Sequence, residues 1–375
     1  MSIRYSYHTR LIVAICVALI TVVTLACGGG GIASLEDERG EHAATLLMDG
    51  RLFVAGGRDS KAIASAEVYD PTIGEWSSAG RLTVARYGHT QTLLKDGKVL
   101  VIGGNATPEV YDPATGTWSS AGNMSFLRIS GHATTLLEDG RVLVTGGISE
   151  VTGSRKKVAF AELYDPSTGT WELTGDMTEP RERHRAILLT DTTVLVVGSD
   201  TSVAYRIGST TAELYDPATG KWSKAGNLPN DHAERFTLTL LGDGKVLVAG
   251  GGTRGRTLAP NITASMDIYD QSTGEWSTTM DMTAKSWGHT ATTLSDGKIL
   301  FVGMVTVQIF DPAAESWTFV GKLTEARNGV HTATLLEDGR VLIVGGDDIT
   351  LDRFGRIGGR EGLASVRVYD QTEEW

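Results

Sequence analysis

The sequence predicts an all-β protein, a seven-bladed β-propeller whose blades are four-stranded antiparallel sheets. Three observations carry this. A block of about forty to fifty residues recurs seven times from Glu41 to Trp375, a spacing that marks repeat architectures. Inside each block the apolar period is two, the period of a strand. No segment beyond the first 27 residues carries a helical period.

Each block yields its strands in order, A to D. In the last block Thr332, Thr334 and Leu336 alternate with Ala333 and Leu335 as strand A. Asp338-Gly339 then signals a hairpin, because that turn needs a residue at positive φ. The pair recurs as Asp49-Gly50, Asp96-Gly97, Asp139-Gly140, Asp243-Gly244 and Asp296-Gly297, and the fourth block departs with Asp191-Thr192. Strand B is a short β-branched run such as Val341 to Val344. Strand C ends on an aromatic residue and aspartate, whose carboxylate is placed to bond the turn that follows. That turn has the pattern Pro-x-Thr-Gly, as at Pro166 to Gly169, and leads into a strand D that opens on tryptophan.

These blocks resemble the kelch repeat. The marks are a double glycine after the second strand, then a tyrosine, then a tryptophan at set spacing. The glycine pairs are Gly56-Gly57, Gly103-Gly104, Gly146-Gly147, Gly250-Gly251 and Gly345-Gly346, with single glycines Gly198 and Gly303 in blades four and six. The aromatic pairs are Tyr69/Trp76, Tyr111/Trp118, Tyr164/Trp171, Tyr215/Trp222, Tyr269/Trp276, Phe310/Trp317 and Tyr369/Trp375. The resemblance implies a propeller over residues 41–375 whose ligands meet the loops of one face. Aligning His42 with His89 places Leu35 on Leu82 and Arg39 on Arg86. Residues 27–40 are therefore expected to close blade seven, whose strand D is only beginning at Trp375; the alternative is a truncated C-terminus.

The leader is separate. Arg4 and Arg10 precede an apolar run from Leu11 to Leu25, which as a helix spans about 22 Å, short of the roughly 30 Å hydrocarbon core. Residues 1–26 read as a signal peptide. Ala26-Cys27 with Gly28 to Gly31 resembles a bacterial lipobox, with Thr24 where leucine is usual. It implies cleavage before Cys27, lipidation there, and a membrane-anchored protein at the cell envelope, on the outer surface or in the periplasm. The alternative is a plain secretory signal cut nearby. Cys16 and Cys27 are the two cysteines, so the propeller has no internal disulfide, thiolate metal site or cysteine nucleophile. The net charge of -11 argues against nucleic acid as a partner.

In a symmetric ring a residue found in every blade is structural, whereas a ligand site needs departures from symmetry. Histidine occupies one strand-A position in six blades, as His42, His89, His132, His184, His289 and His331, with Phe236 in the fifth. That reads as packing and not as metal. The A–B and C–D turns share one face; the B–C and D–A loops share the other and vary in length. The B–C loops carry eleven basic residues (Arg58, Lys61, Arg155, Lys156, Lys157, Arg206, Arg254, Arg256, Arg353, Arg356 and Arg360) against seven acidic ones. The D–A loops add Arg86, Arg128, Arg181, Arg183, Arg235, Lys285 and Arg327. The expectation is a basic mouth opposite an acidic face. Guanidinium groups suit carboxylate, sulfate and phosphate through paired parallel hydrogen bonds. The expected ligand-binding residues are Arg86, Arg128, Arg155, Lys156, Lys157, Arg183, Arg235, Arg327 and Arg356. Near-repetition leaves a structural role open for Arg86, Arg128 and Arg327.

The kelch resemblance also reaches enzymes. A galactose oxidase-like copper site needs a tyrosine linked to cysteine and a Tyr-His pair, which the propeller lacks. An epimerase-like reading has Glu182 beside Arg181 and Arg183, or Glu234 beside Arg235, as acid/base candidates. Phosphate loops, HExxH and nucleophile elbows are absent from the sequence. The reading favoured is a monomeric, non-catalytic binding module without cofactor or metal. Its partner is a glycan or an acidic protein. An envelope carbohydrate-active enzyme, such as a sugar-acid epimerase-like propeller, and a structural assembly module are the alternatives.

Overall fold

The computed structural model describes residues 33–104, 106–151, 153–198, 210–232, 234–254, 260–351 and 357–372. All are strands, turns and loops. Seven antiparallel sheets follow one another, with strands in the order A-B-C-D in six blades and A-B-C in blade seven among the described residues. Blade one comprises Ala43–Leu46, Leu52–Ala55, Ser65–Asp70 and Glu75–Arg81. In blade seven the described strands are Thr332–Leu335, Val341–Val344 and Val366–Tyr369. Strand A of each blade touches strand A of the next, and that of blade seven touches that of blade one, so the ring is closed.

Strand B is the core of every blade. Its four residues are fully buried in all seven, because they face a neighbouring blade on each side. That two-sided burial explains a continuous β-branched run where strand A alternates. The apolar clusters are the seams between blades: Phe53 and Ala55 of blade one pack with Val99, Val101 and Tyr111 of blade two. The seam from seven to one holds Leu342, Val344, Leu52, Val54, Tyr69 and also Leu35.

The aromatic signature serves one blade and then two. Tyr69 and Trp76 sit opposite each other on strands C and D with centroids 5.2 Å apart. The Trp118 indole N–H then donates to the Ala79 carbonyl of the preceding blade at 2.9 Å, and Trp276 does the same to Ala225 at 2.6 Å. Asp70 accepts from the Thr72 N–H at 2.8 Å, and the equivalent aspartates bond their own turns likewise.

The double glycine answers to the histidine of the following blade. Gly103 has φ 110°, and a Cβ there would stand 2.5 Å from Cε1 of His132. His132 Nε2 in turn lies 3.0 Å from Thr90 Oγ1 of blade two. The pattern recurs at Gly146 with His184 and at Gly345 with His42, and at Gly198 the partner is Phe236.

Residues 33–39 run beside blade seven. Leu35 N donates to Ala364 O at 3.0 Å and Arg39 N to Leu363 O at 3.2 Å. The corresponding bonds of blade one are Leu82 N to Ala64 O at 2.8 Å and Arg86 N to Ile63 O at 3.1 Å. Cys27 lies outside the described residues.

Three of the B–C connections, expected as irregular loops, are hairpins. Ile148–Val151 pairs with Ser154–Lys157, Gly252–Arg254 with Pro260–Ile262, and Asp347–Leu351 with Ile357–Gly362. The first also pairs with Arg128–Ser130, giving blade three a second small sheet on the loop face.

Candidate functional site

The D–A loops clasp each blade to the next, and the clasp uses charges that the sequence placed at the mouth. Arg86 donates to Gly103 O and Thr107 O, both at 3.2 Å, and pairs with Glu109. Arg128 Nη1 lies 3.2 Å from Glu162 Oε1, with both side chains fully buried. Arg327 donates to Ser365 O at 3.1 Å and Ser365 Oγ at 2.9 Å, and to Gly345 O. Burial pushes all three guanidinium groups down from their ordinary range, Arg327 to about 10. These three expected ligand residues are corrected to seam residues: they are buried, and their Nη groups donate to partners within the seam.

The acid of the clasp stands two residues before the strand-C aromatic, as Glu67, Glu109, Glu162, Glu213 and Asp267. Its second oxygen accepts from the incoming loop backbone, as Thr83 N to Glu109 at 2.9 Å and Thr178 N to Glu213 at 2.7 Å. In blade five His232 takes the arginine's place, with Nδ1 2.6 Å from Gly250 O and Nε2 3.1 Å from Asp267 Oδ2. The sequence carried this signal as a repeated Glu-x-Tyr-Asp, masked by the general acidity of the chain.

The strand-A histidines are buried pins. Burial holds His89, His132, His184 and His289 neutral, with pKa values pushed down to about 3, and His331 to about 4. Four of the six place Nε2 within 3.1 Å of a threonine hydroxyl of the preceding blade. Among the described residues no group of three or more His, Cys, Asp or Glu side chains is arranged to hold a metal ion.

Departures from symmetry collect at the two residues before the strand-A histidine. The second of these has positive φ, and it is Gly88, Gly131 and Gly288 in three blades but Glu41, Arg183 and Arg235 in three others. These tips touch around the inner mouth: Gly88 N donates to Glu41 O at 3.0 Å, Arg183 N to Gly131 O at 2.7 Å and Gly288 N to Arg235 O at 2.9 Å. The residue before each tip varies most: Gly40, Tyr87, Ser130, Glu182, Glu234 and Trp287. Arg183 lies against Glu234 and 3.6 Å from Glu182, and Arg235 stacks 4.4 Å from the Trp287 ring. Arg58 pairs with Glu41 at 3.2 Å and Asp347 at 3.0 Å, and stands 5.7 Å from the Tyr87 ring. Tyr87 and Trp287 escaped the sequence reading because they lie outside the repeating aromatic series.

Blade three carries a cluster of open charge. Arg155 and Lys156 are exposed and Lys157 half-buried, and none of the three forms an ion pair among the described residues. Glu150 is opposite Arg155 in the hairpin register without reaching it as an ion pair. Arg356, like Arg206, Arg256 and Arg353, lies outside the described residues. Elsewhere on this face Lys61 and Lys285 are also exposed and form no ion pair among the described residues. On the other face the turn aspartates are neutralised locally, as Asp49 by Arg51 at 2.6 Å and Asp338 by Arg340 at 2.6 Å.

Beside the hairpin a cavity of about 320 Å³ opens between blades two and three. Tyr87, Ile129, Ser130, Ile148 and Arg155 are among the residues that line it.

Comparison with known proteins agrees with this architecture. The Kelch motif matches residues 39–83. Kelch-like protein 25 of Xenopus tropicalis is 28% identical over 297 residues, covering 77% of this chain and 42% of the relative. Kelch-like protein 36 of Bos taurus is 26% identical over 248 residues, covering 66% and 32%. The chain thus spans well under half the length of these curated relatives. A solved fungal alcohol oxidase of the AA5 family, in complex with copper, superposes with a TM-score of 0.69 at 20% identity, covering 89% of this chain and 76% of its own. That likeness is one of fold: the histidines here are seam pins and Cys16 and Cys27 are not among the described residues, so the described residues do not fit a copper centre.

Proposed function

We propose, from the premise that this chain is a kelch-repeat propeller, that it is a non-catalytic binding module for an acidic glycan at its B–C/D–A face. The observation that carries the reading is the run Arg155-Lys156-Lys157, presented on a hairpin without an acidic partner among the described residues. Elsewhere on that face Arg86 and Arg128 are buried in seams, and Arg58 and Arg183 pair with carboxylates. Unpaired cations set side by side on a hairpin favour an anionic ligand. The leader supports display at the envelope through Cys27.

Glycan-array binding by the chain from Gly28 to Trp375, at low and high salt, tests this. Binding to acidic glycans that falls with salt and is lost in Arg155→Gln/Lys156→Gln/Lys157→Gln is the expected result. A blank array refutes it and favours an acidic protein partner. Membrane fractionation of the whole chain tests the anchor, which full solubility of the wild type would remove.

A second reading, a carbohydrate-active enzyme, draws on buried Glu182 and Glu234 beside Arg183. It requires turnover: incubation with a bound sugar acid should produce a new stereoisomer by NMR, lost in Glu234→Gln. The binding-module reading expects an unchanged spectrum.

A further inference from the structure

We infer that the cavity between blades two and three is the subsite for one carboxylated sugar ring, which stacks on Tyr87 while its carboxylate is held by Arg155. The inference rests on the acidic-glycan reading and gives it a place and a ligand class.

The cavity exists because neighbouring loops differ in length. Strand B of blade two ends at Ile102 and strand C begins at Glu109, a short connection with no strand of its own among the described residues. The next blade instead raises the hairpin Ile148–Val151 and Ser154–Lys157. The step between them leaves a hollow lined by Tyr87, Gly104, Ile129 and Ile148. Its volume, about 320 Å³, is at the small end for ligand pockets, which suits one ring and not an extended peptide.

The lining matches such a ring in kind. Tyr87 is 46% exposed, an unusual state for a large aromatic side chain in a position where other blades carry Gly40, Ser130 or Glu182. Arg58 of blade one stands 5.7 Å from the ring centroid, a cation contact that steadies the ring beside the cavity. A sugar's C–H face packs on such an aromatic ring, and Ser130 adds a hydroxyl for a ring oxygen. Arg86 also borders the hollow, but its donors go to Gly103, Thr107 and Glu109. Arg155 is the lining cation with open donors, and its fork takes a carboxylate through two parallel bonds.

The test is calorimetric titration of the chain from Gly28 to Trp375 with a uronic-acid trisaccharide and its carboxyl-reduced, neutral counterpart. The expected wild-type preference for the acidic sugar is at least about tenfold. Arg155→Gln should abolish that preference while leaving the neutral sugar's weak binding alone. Tyr87→Ala should weaken both sugars about tenfold, and Tyr87→Phe should bind like the wild type. Lys298→Gln, on the opposite face, controls for net charge, and the melting temperature of each variant controls for folding. If acidic glycans bind but Arg155→Gln and Tyr87→Ala match the wild type, the subsite is wrong and the glycan reading survives. If the wild type binds no acidic glycan, both fall together.

Discussion

Arg181 Nη2 lies 2.8 Å from Oε1 of Glu213, and its Nε lies 2.9 Å from the same oxygen, with both side chains buried. The pair joins the loop leaving blade three to strand C of blade four, and Arg181 also donates to Gly198 O at 2.7 Å and Thr211 O at 3.0 Å. Removing one partner leaves a buried guanidinium without its counter-charge. Glu213→Gln should therefore cost about 3–5 kcal/mol of stability, read from urea unfolding. The double change Arg181→Met/Glu213→Leu should restore most of it, since neither ion then needs desolvation. A loss below about 1 kcal/mol in the single variant would mean that the clasp carries no weight.

The glycine that faces the next blade's histidine makes a second prediction. Gly103→Ala combines a positive φ with a 2.5 Å approach to His132, whereas Gly116, at φ 68°, has open space around its Cβ position. Gly116→Ala should cost about 1–2 kcal/mol, the backbone penalty alone. Gly103→Ala should cost at least about 2 kcal/mol more, because the seam must also open. Equal melting temperatures for the two variants would remove the steric account of the double glycine.

These two positions mark what was legible in the sequence. Gly103, Tyr111 and Trp118 sit at fixed spacing in local hairpins, so one repeat announces its blade and seven announce the ring. Arg86 and Glu109 were legible as residues but not as a pair, because their meeting is set by how one blade's exit loop lies on the next. The Arg155 run is legible in the sequence as a ligand-binding candidate in a basic loop. That it stands on a hairpin wall beside Tyr87 depends on the short connection of blade two, a relation between loops that no periodicity encodes.

Blade seven lacks the clasp acid. Register places Arg367 opposite Ile343, where Glu67 stands opposite Val54 in blade one. Arg327 is left with carbonyl and hydroxyl acceptors, and burial, opposed by Glu325 and reinforced by Arg367, pushes its pKa down to about 10. Arg367→Glu should supply the missing carboxylate and stabilise the protein by about 1.5–3 kcal/mol. A lower melting temperature in Arg367→Glu would show that this seam is built differently from the others.

The contacts of residues 33–39 with blade seven carry a proposal about closure: this segment seals the ring by standing where each other blade has the end of its own strand D. Leu35 is buried in the seam between blades seven and one, and Trp76 donates its indole N–H to Ala33 O at 2.8 Å. Arg39 pairs with Glu67 of blade one as Arg86 does with Glu109 of blade two. A chain beginning at Glu41 should melt several degrees below one beginning at Gly28, with blade one losing amide protection first. Equal melting temperatures would assign closure elsewhere.

Acid should open the seams through the strand-A histidines. Burial, the largest cause in each, holds His89, His132, His184 and His289 at about 3 and His331 at about 4, and His42 is also held well below its ordinary value. In the unfolded chain these imidazoles titrate near 6.5. The folded protein thus binds fewer protons than the unfolded one between those values. Their neutral burial is without proton penalty above about pH 6.5, and stability is lost as pH falls from there toward about 3. Each such histidine contributes a slope on the order of 1 kcal/mol per pH unit near pH 5. The turn carboxylates act in a lower window: hydrogen bonds from Thr72 and Ser167 hold Asp70 and Asp165 below the usual carboxylate range, so what they contribute is lost only at pH below the histidine window. Unfolding free energy measured by urea at intervals from pH 7 to pH 5 should therefore fall steeply. His132→Phe, which copies Phe236 of blade five, should reduce the slope by about one proton. Stability that is flat from pH 7 to pH 5 would mean that the pins open to water before the ring unfolds.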